Sequence, residues 1–433
     1  MRLYYLLIFS FFMHELYAQA QDTLVNTELI EVVVTGQLSE TTIENAIHKI
    51  RVIGSKELNS GLFTDLASVL SKELNVQLSE DNILGSSISI QGISGQNVKI
   101  LIDDVPAIGR LNGNIDLSQI SLNNIQRIEI VEGPLSTIYG TDALAGTINI
   151  ITKEQLENKK SFTTYYETVG KYNYDLLFSK NISDNTASYQ FGRNYFNGWS
   201  PNQDFKLIPT NELADINRYK QWKPKEQISH KVSYNIKKDS YTNNNYFERF
   251  YEKITNRGLP QEPYNENAFD EYYHTFKTNL GSDIKLKYDK NKLRLILAYN
   301  NYIRAKETFY KDLTNLSTVI VQDASMQDTS HFNLWMIKAI LSNDKNDQFR
   351  YQVGIDLNKQ NAKGNRIQNK YQEKSDYALF STIEYKLTNR TIIRPSLRLI
   401  YNDKYKAPIV PAINTLFDLG RYKVRVSYAK GFR

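Results

Sequence analysis

The chain has 433 residues, a length that favours two domains over one. It contains no cysteine, which excludes disulfide bonds, thiolate metal sites and cysteine nucleophiles. Its net charge is +6, acidic and basic residues are interspersed, and no cluster of Lys and Arg has the form of a nucleic-acid binding surface.

Tyrosine dominates the aromatic residues, with 30 Tyr beside 19 Phe and 3 Trp. Tyr favours strands in large soluble β-proteins, and it also forms the interfacial girdles of membrane β-barrels. A mean hydropathy of −0.48 is compatible with both classes, because barrel strands expose only alternate residues to lipid. The same value argues against a helical membrane protein.

Residues 1–20 have the pattern of a secretory signal peptide. Arg2 gives a charged start, and the apolar run Leu3–Met13 is too short to span a membrane as a helix. Ala18-Gln19-Ala20 offers a cleavage site, so we expect the mature chain to begin at Gln21.

Residues 21–41 are polar except for a β-branched run, Glu31-Val32-Val33-Val34-Thr35-Gly36. One interpretation makes this run the first strand of the domain that follows. The other makes it a segment that adds as an edge strand to the sheet of a partner protein, with main-chain hydrogen bonds supplying affinity.

The next elements are short. Residues 64–70 predict a helix with Thr64 as N-cap and apolar residues at Leu66, Val69 and Leu70. Alternation and β-branching predict strands at Ile88–Gly92 and Val98–Asp103.

The segment Ile125–Lys153 combines two alternating runs, Ile128–Val131 and Thr147–Thr152, with a turn-rich centre. Gly133 before Pro134 predicts a sharp turn. Gly140 and Gly146 suit positions of positive φ or close backbone approach.

This segment closely resembles the end of the plug domain of TonB-dependent outer-membrane receptors, I-E-R-I-E-V-x-x-G-P-x-S-x-x-Y-G-x-x-A-x-x-G-x-I-N-I-x-T. The matching residues are Ile125, Arg127, Ile128, Glu129, Gly133, Pro134, Ser136, Tyr139, Gly140, Ala143, Gly146, Ile148, Asn149, Ile150 and Thr152. Residues 52–58 also resemble an early plug segment. The resemblance implies a membrane β fold, in which a small α/β plug precedes an antiparallel transmembrane β-barrel of about 22 strands.

The expected organisation is therefore a signal peptide at 1–20, a flexible leader at 21–41, a plug at 42–153 and a partial barrel at 154–433. The run Glu31–Thr35 resembles a TonB box. Two departures from the family pattern occur in the plug: Gln91-Gly92 replaces Arg-Gly, and Asp103-Asp104-Val105 replaces Asp-Gly-Val. Gln91 forfeits a bidentate charged contact, and Asp104 replaces a residue tolerant of positive φ.

From Glu154 onward, tyrosine-rich segments alternate strictly between apolar and polar residues, as lipid-facing strands do. The apolar faces are Leu293, Leu295, Leu297 and Tyr299; Phe349, Tyr351, Val353, Ile355 and Leu357; Tyr377, Leu379, Ile383 and Tyr385; and Tyr422, Val424, Val426 and Tyr428. Short polar turns at 237–240, 343–347 and 388–390 contrast with long polar stretches at 200–227 and 257–270. This asymmetry predicts short periplasmic turns and long outer loops.

The 280 residues from Glu154 to Arg433 accommodate on the order of a dozen strands. The final residues, Tyr428–Arg433, resemble a mid-barrel strand of the family. We therefore expect a fragment or truncated product whose open sheet has two unpaired edges and does not insert stably by itself. Heat-modifiable gel migration like that of a closed barrel would contradict this expectation.

No enzymatic chemistry is indicated, and the sequence predicts no catalytic residue, metal site or cofactor. The five histidines lie apart, and none has metal-ligand spacing. No nucleophile elbow or phosphate-binding glycine loop is present. Asp103-Asp104 is interpreted as a pair that caps a turn rather than as an acid–base pair.

The resemblance implies a receptor that takes up an iron-siderophore complex, haem or cobalamin. Its partners would be outer-membrane lipid, a small extracellular ligand, and TonB with ExbB and ExbD, which would pull on Glu31–Thr35. In the family, charges at the positions of Arg127 and Glu129 help to lock the plug to the barrel; the alternative is that both cap a sheet edge. An accessory or signalling receptor and a nonfunctional truncated product remain as other hypotheses.

Overall fold

A computed structural model of the chain describes residues 32–58, 63, 65–73, 75–81, 83, 85–94, 97–109, 115–122, 125–153, 158–201, 218–343 and 348–431. The expected signal peptide, the leader up to Ile30 and the first residue of the expected box, Glu31, lie outside these residues. In the described part, no helix is both long and apolar enough to cross a membrane.

The described residues between Val32 and Lys153 form ten short strands and three short helices. The strands are β1 (Val32–Val33), β2 (Thr41–Thr42), β3 (Ile50–Gly54), β4 (Val76–Asp81), β5 (Gly85–Ile90), β6 (Ile93–Ser94), β7 (Val98–Ile102), β8 (Val105–Pro106), β9 (Ile125–Glu132) and β10 (Gly146–Thr152). The helices are α1 (Ser55–Leu58), α2 (Leu66–Leu70) and α3 (Ser136–Tyr139). Short 3₁₀ turns lie at Ile43–Asn45 and Leu117–Gln119.

The central sheet of the plug has the order β3-β9-β10-β7-β8, with β10 parallel to β7 and the other pairs antiparallel. Its isoleucines form this sheet because β-branched side chains pack well on a pleated surface. Ile128 and Ile148, both fully buried, belong to a core that the α2 residues Leu66 and Leu70 complete. The predicted strands 88–92 and 98–103 and the runs 128–131 and 147–152 are confirmed, with small shifts of their ends.

Helix α2 starts differently from the prediction. Its N-cap is Asp65, whose side chain accepts a hydrogen bond from the Ser68 amide, and Ser68 completes a reciprocal capping box. The assignment of the N-cap to Thr64 was therefore wrong, and Thr64 itself lies outside the described residues. Both residue types cap helices well, so the sequence alone left this choice open.

The remaining strands form one antiparallel sheet, here called the wall sheet. They are β11 (Lys159–Glu167), β12 (Lys171–Ile182), β13 (Asn185–Phe196), β14 (Lys225–Lys238), β15 (Tyr241–Arg257), β16 (Asn267–Tyr288), β17 (Asn291–Asp312), β18 (Thr318–Ile320), β19 (Asp328–Asn343), β20 (Phe349–Gly364), β21 (Tyr371–Thr388), β22 (Thr391–Asn402), β23 (Val410–Asp418) and β24 (Lys423–Ala429). A 3₁₀ turn lies at Gln368–Lys370.

Thirteen of these strands follow one another as neighbours, and β18 pairs beside β17. The prediction of about a dozen strands is confirmed. Among the described residues, β11 pairs only with β12 and β24 only with β23, so the sheet is not closed. The long loops predicted at 200–227 and 257–270 end earlier in the structure, because β14 begins at Lys225 and β16 at Asn267.

The alternation along the wall strands sorts their side chains onto two faces. On β17, Leu293 and Leu297 are exposed on one face, while Ile296 and Ala298 on the other face are buried against the plug. The predicted apolar faces on β20, β21 and β24 are likewise mainly exposed. This confirms the expectation of an outward apolar face, and it leaves a largely polar inward face in contact with the plug.

Candidate functional site

The box segment, Val32–Thr35, folds back onto the plug. Val32 and Val33 pair with Thr42 and Thr41 in a two-stranded ribbon that is separate from the central sheet. Val33 and Thr35 are fully buried. The segment is therefore neither a strand of the central sheet nor a free tail in this state.

Glu129 holds this segment in place. Its carboxylate accepts hydrogen bonds from the backbone amides of Val34 at 3.1 Å and Thr35 at 2.7 Å, and from Arg127 Nε at 2.7 Å. Glu129 is completely buried, and the Arg127 side chain is mostly so. A buried backbone amide needs a hydrogen-bond partner, and the Glu129 carboxylate is that partner for the last two residues of the box segment. Arg127 and Glu129 thus pair with each other, and Glu129 engages the box segment.

Asn149 links the box segment to the turn between β7 and β8. Its Nδ2 donates to Thr35 Oγ1 at 3.1 Å and to Asp104 Oδ1 at 3.0 Å, while its Oδ1 accepts from the Asp104 amide at 3.2 Å. The Tyr139 hydroxyl donates to the same Asp104 oxygen at 2.8 Å. Asn149 is fully buried, so an amide that donates and accepts is well suited to this position.

Asp104 connects these hydrogen bonds to the wall sheet. Its second carboxylate oxygen pairs with Arg294 on β17, which also holds Asp283 at 2.9 Å. Burial opposes ionisation of Asp104, but Arg294, Lys338 and the Tyr139 hydroxyl outweigh it and lower its pKa to about 2. Burial, with the neighbouring Asp104 charge, holds the pKa of Tyr139 well above its usual value. The box segment is thereby connected to the wall through neutral Tyr and Asn groups and one ionised carboxylate.

The Asp103-Asp104 pair does cap a turn. Both residues have positive φ, 51° and 70°, and join β7 to β8 as a two-residue hairpin. The Asp103 carboxylate accepts from the Thr152 amide at 2.9 Å and from its hydroxyl at 2.7 Å. Burial raises the pKa of Asp103. The departure from Gly at position 104 is thus accommodated by an acidic residue that also contacts the wall.

Cations of the wall sheet bind the chain that follows the box. Arg394 donates to the Gly36 carbonyl at 2.9 Å and to Gln37 Oε1 at 3.3 Å, and it pairs with buried Glu384. Arg425 donates to the carbonyls of Ala46 at 2.9 Å and Glu44 at 3.0 Å. We call this set of contacts the clasp. No local pattern in the sequence indicates it, because Arg394 and Arg425 lie more than 350 residues from the carbonyls that they bind.

The S-x-x-Y-G part of the plug motif forms helix α3 and docks its C-terminal end on the wall. Lys99 of the plug donates to the carbonyls of Tyr139 at 2.7 Å and Thr141 at 2.9 Å. Lys338 and Arg398 of the wall donate to the Ile138 carbonyl, each at 3.4 Å. Cations suit the negative end of a helix. Burial lowers the pKa of Lys99 to about 8.

The glycines of the motif have backbone roles. Gly133, Gly140 and Gly146 all have positive φ, which confirms the prediction for the last two. A Cβ at Gly146 would lie 2.4 Å from the Val131 carbonyl oxygen, so β9 and β10 can approach only at a glycine. Gly133 precedes Pro134 at the predicted sharp turn, where a Cβ would meet open space.

A cavity of about 470 Å³ lies between the plug, strands β19–β21 and the residues that follow β22. Its lining includes Lys99, Asp142, Lys374, Lys404 and Tyr405. Nothing in the described part of the chain groups three or more His, Asp or Glu side chains as a metal site would. Apolar residues, among them Ile108 and Phe332, complete the lining, and such a mixture suits a small organic molecule.

Comparison with known proteins agrees with this architecture. Residues 42–147 match the family model described as the TonB-dependent receptor plug domain. Similar solved structures include the siderophore receptor PirA from Pseudomonas aeruginosa, with 16% identity over 89% of this chain and 62% of that chain and a TM-score of 0.63. The ferric enterobactin receptor PfeA from Pseudomonas aeruginosa has 13% identity over 89% of this chain and 62% of that chain, with a TM-score of 0.65. The FrpB iron transporter from Neisseria meningitidis has 12% identity over 88% of this chain and 64% of that chain, with a TM-score of 0.64.

The plug of this chain is therefore a TonB-dependent receptor plug domain. Together, the plug and the wall sheet have the fold of TonB-dependent receptors. The chain spans about three fifths of the length of the solved receptors that it matches.

Proposed function

We propose that this chain acts as an outer-membrane receptor for the TonB-dependent uptake of a ferric siderophore. The observation that carries the proposal is a box segment held by Glu129 in a plug domain of this family. Solved structures with the same fold are siderophore receptors and an iron transporter by their descriptions. The expected organisation, with a signal peptide at 1–20, a leader at 21–41, a plug at 42–153 and a wall from 154, forms part of this proposal.

The coupling step follows from the contacts of the box segment. TonB, energised by ExbB and ExbD, would bind Glu31–Thr35 by strand addition, which requires the segment to leave β2. When the segment leaves, Glu129 loses its hydrogen bonds from two backbone amides, and Asn149 loses its hydrogen bond to the Thr35 hydroxyl. Since Asn149 and Asp104 share hydrogen bonds, the pull reaches the turn that contacts Arg294. The cargo undergoes no covalent change, so the chain acts as a transporter and not as an enzyme.

The cargo would enter from the side of the longer loops, where the plug cavity lies. Three lysines lie at its lining, Lys99, Lys374 and Lys404, against two acidic residues, Asp142 and Glu373. Three positive and two negative charges leave a net charge of +1, which favours an anionic chelate. A ferric siderophore with net negative charge fits this lining. Haem and cobalamin are the alternatives that the uptake experiment distinguishes.

The test is uptake of radioactive iron by a strain that lacks the gene and by the same strain complemented with it. We expect uptake of at least one ferric siderophore only in the complemented strain and only when TonB is present. Substituting Val32→Pro removes an amide and fixes φ, so it should abolish uptake, while Val32→Thr keeps β-propensity and should preserve it. Uptake without TonB, or of haem or cobalamin alone, would contradict the proposal.

A further inference from the structure

A row of polar side chains crosses the outward face of the wall sheet. Its members are cross-strand partners on seven neighbouring strands, from β14 to β21: His230, Arg249, Thr278, Asn301, Asn333, Asn361 and Glu373. We call this row the polar belt. Asn301 donates to Asn333 at 2.6 Å, and Asn333 donates to Asn361 at 2.9 Å.

The polar belt bounds a surface of a different kind. Between it and the strand ends near Tyr288, Asn291 and Asn343, outward positions of β16, β17 and β19 carry no charged residue in the described part of the chain. Large apolar side chains are exposed there, among them Leu280 (42%), Trp335 (57%) and Ile337 (44%). Such a continuous apolar band must be covered, and in a transmembrane sheet lipid acyl chains cover it.

The height of the band agrees with this cover. On β16, Tyr288 at the turn lies ten positions after Thr278 in the polar belt. At about 3.4 Å per residue and a tilt of about 40°, they span about 26 Å along the membrane normal. The apolar band of outer-membrane barrels is about 25 Å tall. The polar belt therefore lies where acyl chains end, on the side of the longer loops.

Three neighbouring amides cannot face hydrocarbon without a large cost, so the polar belt faces the headgroup layer. Cations accompany it: Arg249 lies in the belt and Lys363 one outward position beyond Asn361, and both are exposed. Amides donate to and accept from hydroxyl groups, and Arg and Lys bind phosphate.

We propose that the polar belt binds the phosphate- and hydroxyl-bearing headgroups of outer-leaflet lipid. This inference rests on the membrane location in the proposed function, and the two can fail separately. It assigns to Arg249, Asn301, Asn333, Asn361 and Lys363 a part in fixing the depth of the receptor in the membrane.

The first experiment tests depth, and the absence of cysteine makes single-cysteine probes unambiguous. An environment-sensitive fluorophore is attached at Asn333→Cys or Ile337→Cys in isolated outer membranes from cells that make the full chain. We expect quenching by headgroup-labelled lipid at position 333 and by acyl-labelled lipid at position 337. If position 337 reports water, the membrane location and the proposed function fail. If both positions report acyl chains, only the polar belt fails.

The second experiment tests binding by native mass spectrometry of the detergent-extracted chain titrated with lipid A, phosphatidylcholine or inorganic phosphate. Removing two surface cations by Arg249→Gln with Lys363→Gln should weaken lipid A binding about 25-fold, at about fivefold for each cation. Lys180→Gln, an exposed cation at the opposite rim on β12, is the matched control and should leave binding unchanged. Equal loss with the control, equal binding of phosphatidylcholine, or equal binding of free phosphate would overturn the proposal.

Discussion

At the scale of single residues, Glu129 is the side chain on which the box segment depends. It is fully buried and serves three donors, two of them backbone amides of the segment. A carboxylate is acceptor-only and ionised hydrogen bonds are strong, so no neutral side chain of the same shape can replace it. We therefore expect this residue to set how often the box segment is released.

We predict that Glu129→Gln releases the box segment. The Gln side-chain amide places an N–H donor where the backbone amides and Arg127 also donate. The box segment should therefore lose about 2 kcal/mol of local stability. Hydrogen exchange at the Val34 and Thr35 amides should become about 30-fold faster. Glu44→Gln, at an exposed position on the same side of the plug, should leave these rates unchanged. Unaltered exchange in Glu129→Gln would show that other contacts hold the segment.

His48 predicts a pH dependence. Burial, with the charges of Arg394 and Arg425, lowers its pKa to about 3 from the ordinary 6.5. The folded state therefore binds fewer protons than the unfolded state below pH 6.5, so the contribution is complete above that pH and is lost as pH falls towards 3. The expected loss by pH 4 is about 3 kcal/mol. Unfolding by urea at pH 7 and pH 4 should show a smaller difference in His48→Gln than in the unaltered chain; equal differences would contradict the prediction.

At the scale of elements, the plug sheet depends on where its strands can approach one another. Pairing of β9 with β10 places Gly146 opposite Glu132, with the Val131 carbonyl directly beside it. Alternation of Ile and polar residues specified both strands, and Gly146 allows β10 to approach the β9 backbone closely where β10 begins. At helix α2 the sequence pattern did not specify the local detail. Asp65 rather than Thr64 is the N-cap, because Asp65 forms reciprocal hydrogen bonds with Ser68.

Two glycine substitutions separate backbone conformation from close approach. Gly133→Ala places a Cβ in open space at positive φ and should cost about 1 kcal/mol. Gly146→Ala adds a contact with a backbone oxygen that cannot move alone, and should cost about 3 kcal/mol. Free energies of unfolding measured in the same denaturant decide the comparison. Equal costs would mean that the strands separate easily at Gly146.

At the scale of the whole molecule, the plug is held in the wall sheet by polar and charged contacts more than by apolar packing. The clasp engages residues 36–46, Arg294 engages the β7–β8 turn, and Lys338 and Arg398 engage α3. On the other side of the plug, fully buried Glu252 accepts from Gln119 at 2.7 Å. Such contacts break at defined points, which suits the plug movement that the proposed function includes.

We predict that Arg394→Ala loosens the clasp. It leaves Glu384 buried without its strongest partner, at an expected cost of about 3–5 kcal/mol, and frees the Gly36 carbonyl. Limited proteolysis should then cut within residues 36–46, where the unaltered chain resists. The double variant Arg394→Met with Glu384→Leu removes the unpaired charge and should recover most of the stability while proteolysis stays fast. Resistance in both variants would show that Arg394 is not a main contact of the clasp.

The sequence by itself determined the plug motif, the alternation of the wall strands, the glycine conformations and the turn at Asp103-Asp104. These features are local, because period, turn chemistry and motif spacing act over a few residues. Only the tertiary structure decided that Glu129 serves the box segment, that Arg394 and Arg425 bind the chain behind it, and that seven side chains align as the polar belt. Those relations join residues tens to hundreds of positions apart, and strand register and burial fix them together, so no local pattern records them.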